Sequence, residues 1–72
     1  MTVTVAEAIE TLEREIALGN LWFRTHEKMM RTYEIIEELS KIDQNLLVLR
    51  FEFQDRGLVP DIYVLIEGRV NT

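Results

Sequence analysis

The spacing of apolar residues changes period near residue 46, and this change limits the chain to folds that combine helices with strands. Before it, apolar residues recur at the intervals typical of amphipathic helices; after it, they alternate with polar residues as in half-buried strands. The sequence therefore predicts an α+β fold with two N-terminal helices and a C-terminal antiparallel β-hairpin. We expect residues 1–72 to form a single small domain.

The first predicted helix spans residues 5–18. Thr4 and Glu7 have the spacing of a capping box, in which each side chain bonds the backbone amide of the other residue. The apolar positions that follow are Val5, Ala8, Ile9, Leu12 and Ile16. Gly19 is typical of a helix end and Asn20 of the N-cap of a following helix. The alternative is one long helix that carries Gly19 at a cost of about 1 kcal/mol relative to Ala.

The second predicted helix spans residues 21–41 and forms a helical hairpin with the first. Its apolar stripe follows the spacing of helices that wrap around one another. The stripe consists of Trp22, His26, Met29, Tyr33 and Ile36. Such a stripe can face the core, a second subunit, or both.

The predicted β-hairpin pairs residues 46–54 with residues 61–67, and Gly57 and Pro60 supply the turn between them. In the first strand, alternation places four apolar residues on one face: Leu47, Leu49, Phe51 and Phe53. The second strand is apolar on both faces and needs additional cover. That cover is either a short third strand from residues 1–3 or the same hairpin from another subunit, joined across a two-fold axis.

Small size makes self-association the expected source of extra stability. A chain of 72 residues buries only about 60% of its unfolded surface. There is no Cys for a disulfide, and one His is too few for an ordinary zinc site. We therefore expect a homodimer, built from the helix stripe, the hairpin edge or both, with no cofactor and no metal.

The acidic composition sets the expectations for partners and compartment. A net charge of −5 opposes binding to phosphate backbones, so we expect no nucleic-acid partner and consider a basic protein partner. No apolar run approaches the ~20 residues of a membrane span, and the N-terminus lacks the pattern of a signal peptide. We expect a cytoplasmic protein that makes no membrane contact.

An aromatic and histidine group is the first candidate contact site. On the predicted second helix, Trp22, Phe23, His26 and Tyr33 lie close together and can contact a ligand or a partner. The alternative is that these side chains form core or a subunit seam, with His26 as a neutral, hydrogen-bonded residue at its edge.

A basic stripe is the second candidate. Arg24, Lys28 and Arg31 would lie on one side of the same helix, where they can bind a phosphate or an acidic partner. The alternative is that they pair with the acidic first helix through exposed ion pairs of little energetic value.

The sequence predicts no catalytic residues, because a single His without a spaced nucleophile is not an enzyme signature. It favours a small acidic, non-enzymatic protein–protein interaction module, such as a regulator, adaptor or inhibitor, that acts as a homodimer. The alternative is a small-ligand binding protein with the aromatic and histidine pocket at the subunit interface. A third possibility is an enzyme that uses His26 with Glu27 or Tyr33 across a dimer.

Overall fold

A computed structural model describes residues 2–55 and 57–67 and shows an α+β fold, in which two helices pack on one face of a mixed sheet. The elements in chain order are β1 (Val3–Thr4), α1 (Val5–Ala17), β2 (Trp22–Arg24), β3 (Met29–Arg31), α2 (Thr32–Ser40), β4 (Leu47–Gln54) and β5 (Asp61–Ile66). The strand order across the five-stranded sheet of the described residues is β1-β4-β5-β2-β3. Among these described strands, the β2–β5 pair is parallel and the other neighbouring pairs are antiparallel.

The start and end of α1 confirm the predicted capping box and helix break. The Thr4 hydroxyl accepts a hydrogen bond from the Glu7 amide at 3.2 Å, and the Glu7 carboxylate accepts one from the Thr4 amide at 3.0 Å. At the other end, Gly19 has φ +93° and its amide donates to the carbonyl of Ile16 at 2.9 Å. Gly19 therefore turns the chain away from the helix axis, and the alternative of one uninterrupted helix is wrong.

The predicted second helix is wrong over its first half. Residues 22–31 form a β-hairpin, and the helix that follows, α2, covers only Thr32–Ser40. Phe23 lies opposite Met30 in this hairpin and is completely buried, while its two strand neighbours are exposed. The turn is closed by Thr25, whose amide donates to the Lys28 carbonyl at 2.8 Å and whose hydroxyl accepts from the Lys28 amide at 3.1 Å. The chain thus gains a buried Phe23 and strand hydrogen bonds in place of a helical turn.

Because the hairpin precedes α2, Asn20 is not the N-cap of a second helix. That position belongs to Arg31, whose side chain makes no capping hydrogen bond. Instead, the carbonyl of Asn20 accepts a hydrogen bond from the hydroxyl of Thr32 at 2.7 Å. The Thr32 amide also donates to the carbonyl of Leu21 at 2.9 Å. Both bonds hold the start of α2 against the segment that leaves α1.

The predicted simple C-terminal hairpin is also wrong as a description of the sheet. Strands β4 and β5 are antiparallel neighbours, but β1 flanks β4 on one side and β2 flanks β5 on the other. A short N-terminal strand is present as Val3–Thr4, with Val3 opposite Val48, but it pairs with β4. The second strand of the hairpin, which was expected to receive this cover, has β2 as its other neighbour. Met1 lies outside the described residues.

An irregularity in β4 overturns the predicted alternation of that strand. The pairing with β5 shifts between Val48 and Arg50, so that one extra residue, Leu49, lies between two consecutive cross-strand pairs. Before the shift, Val48 points toward the helices and is fully buried. After it, Phe51 packs against the same core. The predicted apolar face of this strand is therefore divided. Leu47 and Leu49 point away from the helices, and Phe51 and Phe53 point toward them.

The core lies between the helices and one face of the sheet. Its buried apolar members are Val5, Ala8, Leu12, Phe23, Ile35, Leu39, Val48, Ile62 and Ile66. Aromatic side chains extend this core toward the end of the β4–β5 pair that is nearest the connecting turn. There the ring centroids of Phe23 and Phe53 lie 5.0 Å apart. The helices pack on one side of the sheet, and no described helix covers its other side.

Candidate functional site

The face of the sheet that points away from the helices is uncovered by the described residues, and we call it the open face. Side chains alternate along a strand, so the neighbours of the inward-pointing residues point outward. The open face carries Trp22, Arg24, Met29, Arg31, Leu47, Leu49, Arg50, Glu52, Asp61, Tyr63 and Leu65. It thus combines apolar, aromatic and charged side chains of both signs.

Two arginines of the open face lie over aromatic rings. The guanidinium carbon of Arg50 is 4.7 Å from the centre of the Tyr63 ring, and that of Arg31 is 5.3 Å from the centre of the Trp22 ring. Both distances are within the range of cation–π contacts, which contribute about 0.5–1 kcal/mol at exposed sites. The contacts restrict the conformations of two long side chains on the open face.

Carboxylates accompany these arginines. The Arg24 side chain lies 3.7 Å from the carboxylate of Asp61, which is largely buried, and Arg50 lies 3.0 Å from the carboxylate of Glu52. Arg24 and Arg50 are each about half exposed, so these pairs are screened by water and add little stability. As a result, positive and negative side chains lie next to one another on the open face.

A leucine cluster forms the apolar part of the open face. Leu47, Leu49 and Leu65 are 39%, 51% and 57% exposed. Leu65 lies opposite Arg50, next to the position of Leu49 in β4. Large apolar side chains that are contiguous and exposed mark interaction surfaces more often than isolated ones do. We call these three residues the leucine cluster.

A groove of about 620 Å³ lies between β5 and α2, beside the β2–β3 turn. The residues that line it are Thr25, His26, Glu27, Met30, Ile35, Glu38, Leu39, Arg50, Ile62, Tyr63, Val64, Leu65 and Ile66. Side chains from both faces of β5 contribute to it. This is possible because β2 pairs with β5 only at Asp61 and leaves the rest of that strand edge open among the described residues.

The predicted aromatic and histidine group does not form one pocket. Trp22 lies on the open face, whereas Phe23 is in the core. His26 lies in the β2–β3 turn and lines the groove. Tyr33 is 62% exposed in the first turn of α2. Since the four side chains lie in four different environments, the structure does not bring them together as one ligand pocket.

The predicted basic stripe is not on a helix. Arg24 and Arg31 share the open face on neighbouring strands, and Lys28 lies in the turn between those strands. Within the described part of the chain, no ion pair joins these residues to α1. Arg24 instead pairs with Asp61, and Arg31 lies over Trp22.

Sequence reasoning missed the leucine cluster and Tyr63 as surface residues. The sequence contained a signal for the exposure of two of these residues. The last strand is apolar on both faces, and Tyr63 and Leu65 share one of those faces. The exposure of Leu47 and Leu49 has no such signal, because it depends on the irregularity after Val48. A shift of one residue moves every later side chain to the other face.

Comparison with known proteins gives no match to a family model, a curated protein or a solved structure. Within residues 2–55 and 57–67, no group of three or more His, Cys, Asp or Glu side chains is arranged to hold a metal ion. In the same part of the chain, neither helix has the length and apolar character needed to cross a bilayer.

Proposed function

We propose that the chain is a non-enzymatic protein–protein interaction module that acts as a homodimer through its open face. The observation that carries this proposal is the exposed leucine cluster beside arginines already held over rings. Burial of three leucines in a contact is favourable at about 25 cal/mol per Å² of apolar surface. A domain of this size also gains stability from association that its own core does not supply.

A second copy suits the open face because the face carries side chains of both charges. In a two-fold contact, each residue of one copy meets the symmetry-related surface of the other. The face carries Arg24, Arg31 and Arg50 together with the carboxylates of Glu52 and Asp61. A two-fold axis can therefore bring an arginine of one copy toward the exposed Glu52 carboxylate of the other, with the leucine cluster in the apolar part of the contact.

The test is the solution mass, measured by light scattering over a wide dilution series. We expect a dimer that persists on dilution and a monomer when Leu49→Glu places a carboxylate in the leucine cluster. Leu58→Glu is the matched control: the same substitution at a residue that is fully exposed in the turn before β5 should leave the dimer intact. Circular dichroism establishes that both variants are folded.

Two outcomes contradict the proposal. A wild-type protein that is monomeric at every concentration excludes the homodimer. A Leu49→Glu variant that is folded and still dimeric shows that another surface makes the contact.

A further inference from the structure

The backbone at the outer edge of β5 is unpaired over half of the strand. Strand β2 meets β5 at one residue pair, where the Arg24 amide donates to the Pro60 carbonyl at 2.9 Å. Hydrogen-bonding groups alternate sides along a strand, so the groups of Val64 and Ile66 point in the same direction as those of Ile62. Among the described residues, no strand lies there to pair with Val64 or Ile66.

The groove beside this edge has the walls that an added strand requires. Ile35 and Leu39 of α2 form an apolar wall on the helix side, and both are almost fully buried. Tyr63 and Leu65 border the groove on the side of the open face. An extended chain lying along β5 would place alternate side chains on these two sides, as strands added to a sheet edge do.

The charged side chains at the rim of the groove determine which charge is favoured on a bound segment. Two carboxylates border the groove, Glu27 from the β2–β3 turn and Glu38 from α2. Glu38 has Lys41 at 3.5 Å, but both side chains are more than half exposed, so this pair is weak. The cation at the rim, Arg50, already lies against Glu52 and Tyr63. The rim therefore favours a basic chain over an acidic one.

We infer that this groove binds an extended, basic segment of another protein, which adds a strand to β5 and lies between β5 and α2. The open edge from Tyr63 to Ile66 accommodates about four residues, or roughly 13 Å of extended chain. Backbone hydrogen bonds to Val64 and Ile66 hold the segment, and Lys or Arg side chains lie near Glu27 and Glu38. The inference rests on the proposed role as an interaction module and gives that module a partner of defined chemistry.

The probe is a capped synthetic peptide of alternating valine and lysine, added to the full chain and followed by amide hydrogen exchange in NMR spectra. In the free protein the amides of Val64 and Ile66 exchange fast, and the peptide slows both. A peptide with glutamate in place of lysine should bind much more weakly. Methylation of those peptide backbone nitrogens that face β5 should abolish the protection, and methylation of the alternate nitrogens should not.

A pair of protein variants tests the charged rim. Glu27→Gln combined with Glu38→Gln should weaken peptide binding by about three- to tenfold, since each exposed charge contact contributes little. Glu10→Gln combined with Glu13→Gln is the matched control, because it removes the same charge from the exposed side of α1. The control should bind the peptide as the wild type does, apart from a small general effect of net charge.

Three results overturn the inference. The first is the absence of saturable binding, and the second is binding that protects open-face strands but leaves Val64 and Ile66 unchanged. The third is protection of these two amides that rises with protein concentration alone, which would assign the edge to a second copy. The homodimer is judged separately by solution mass: a dimer that ignores the peptide contradicts only this inference, and a peptide-binding monomer contradicts only the homodimer.

Discussion

The hydroxyl of Thr32 donates a 2.7 Å hydrogen bond to the carbonyl of Asn20, twelve residues earlier in the chain. Thr32 is completely buried and Asn20 is partly buried, so the bond is largely shielded from water. It closes the β2–β3 hairpin at its base, because Asn20 precedes β2 and Thr32 follows β3. This hydroxyl therefore helps to fix the hairpin that carries the open-face residues Trp22, Arg24 and Arg31.

Replacing Thr32 with Val keeps the shape of the side chain and removes the donor. We expect a loss of about 1–3 kcal/mol in the free energy of unfolding, because the Asn20 carbonyl is left without this partner. Thr32→Ser retains the hydroxyl and loses one methyl group, so it should cost about 1 kcal/mol. Urea denaturation measures both. A Val variant as stable as the wild type would contradict the structural role given to this bond.

Gly19 should resist replacement by residues with a Cβ atom. Its φ of +93° is unfavourable for other residues, although a Cβ atom there would meet no neighbour within 4 Å. The cost of Gly19→Ala is therefore conformational, about 1–2 kcal/mol. Gly19→Asn should cost less, since Asn tolerates left-handed backbone better than Ala does. Equal thermal stability of the Ala variant and the wild type would contradict the helix end described here.

The helix before Gly19 was predictable because its signals are local. The capping box of Thr4 and Glu7 and the break at Gly19 each need only a few neighbouring residues. Residues 22–31 were not predictable in this way. Each strand is only three residues long, too short for alternation to outweigh the helical spacing of Trp22 and His26.

The same short strands explain why the residues of the predicted aromatic and histidine group lie apart. Trp22 and Phe23 are adjacent, and a helix would separate them by only about 100° around its axis, so that both can border one stripe. A strand sends them to opposite faces of the sheet. The arginines of the predicted stripe remained near one another because β2 and β3 are paired. The groove could not be anticipated at all, since it results from a parallel contact between distant segments, Arg24 and Asp61.

Substitutions at Trp22 and Phe23 distinguish the strand from a helix directly. Phe23→Ala removes a fully buried ring and should cost about 3–5 kcal/mol in the free energy of unfolding. Trp22→Ala removes a ring that is 43% exposed and in contact with Arg31, so a much smaller loss is expected, about 1 kcal/mol in the monomer. Chemical denaturation at low protein concentration measures the two values. Equal losses would indicate that both rings face the same environment.

The capping box gives the stability a pH dependence that can be assigned to one residue. Hydrogen bonds from the backbone and then the side chain of Thr4 lower the pKa of Glu7 in the folded protein. A lowered folded pKa means that the charged carboxylate favours folding. This contribution is fully present above the unfolded pKa, about 4.3, and is lost as the pH falls through the folded pKa.

Glu7→Gln removes the titrating group and keeps an oxygen that accepts from the Thr4 amide. We expect the variant to be less stable than the wild type at neutral pH, and the difference in melting temperature to shrink as the pH falls below about 4. Glu10→Gln is the control, because Glu10 makes no such capping contact and should give a melting curve with the pH dependence of the wild type. A Glu7→Gln difference that stays constant down to acid pH would show that the carboxylate charge contributes nothing to the start of α1.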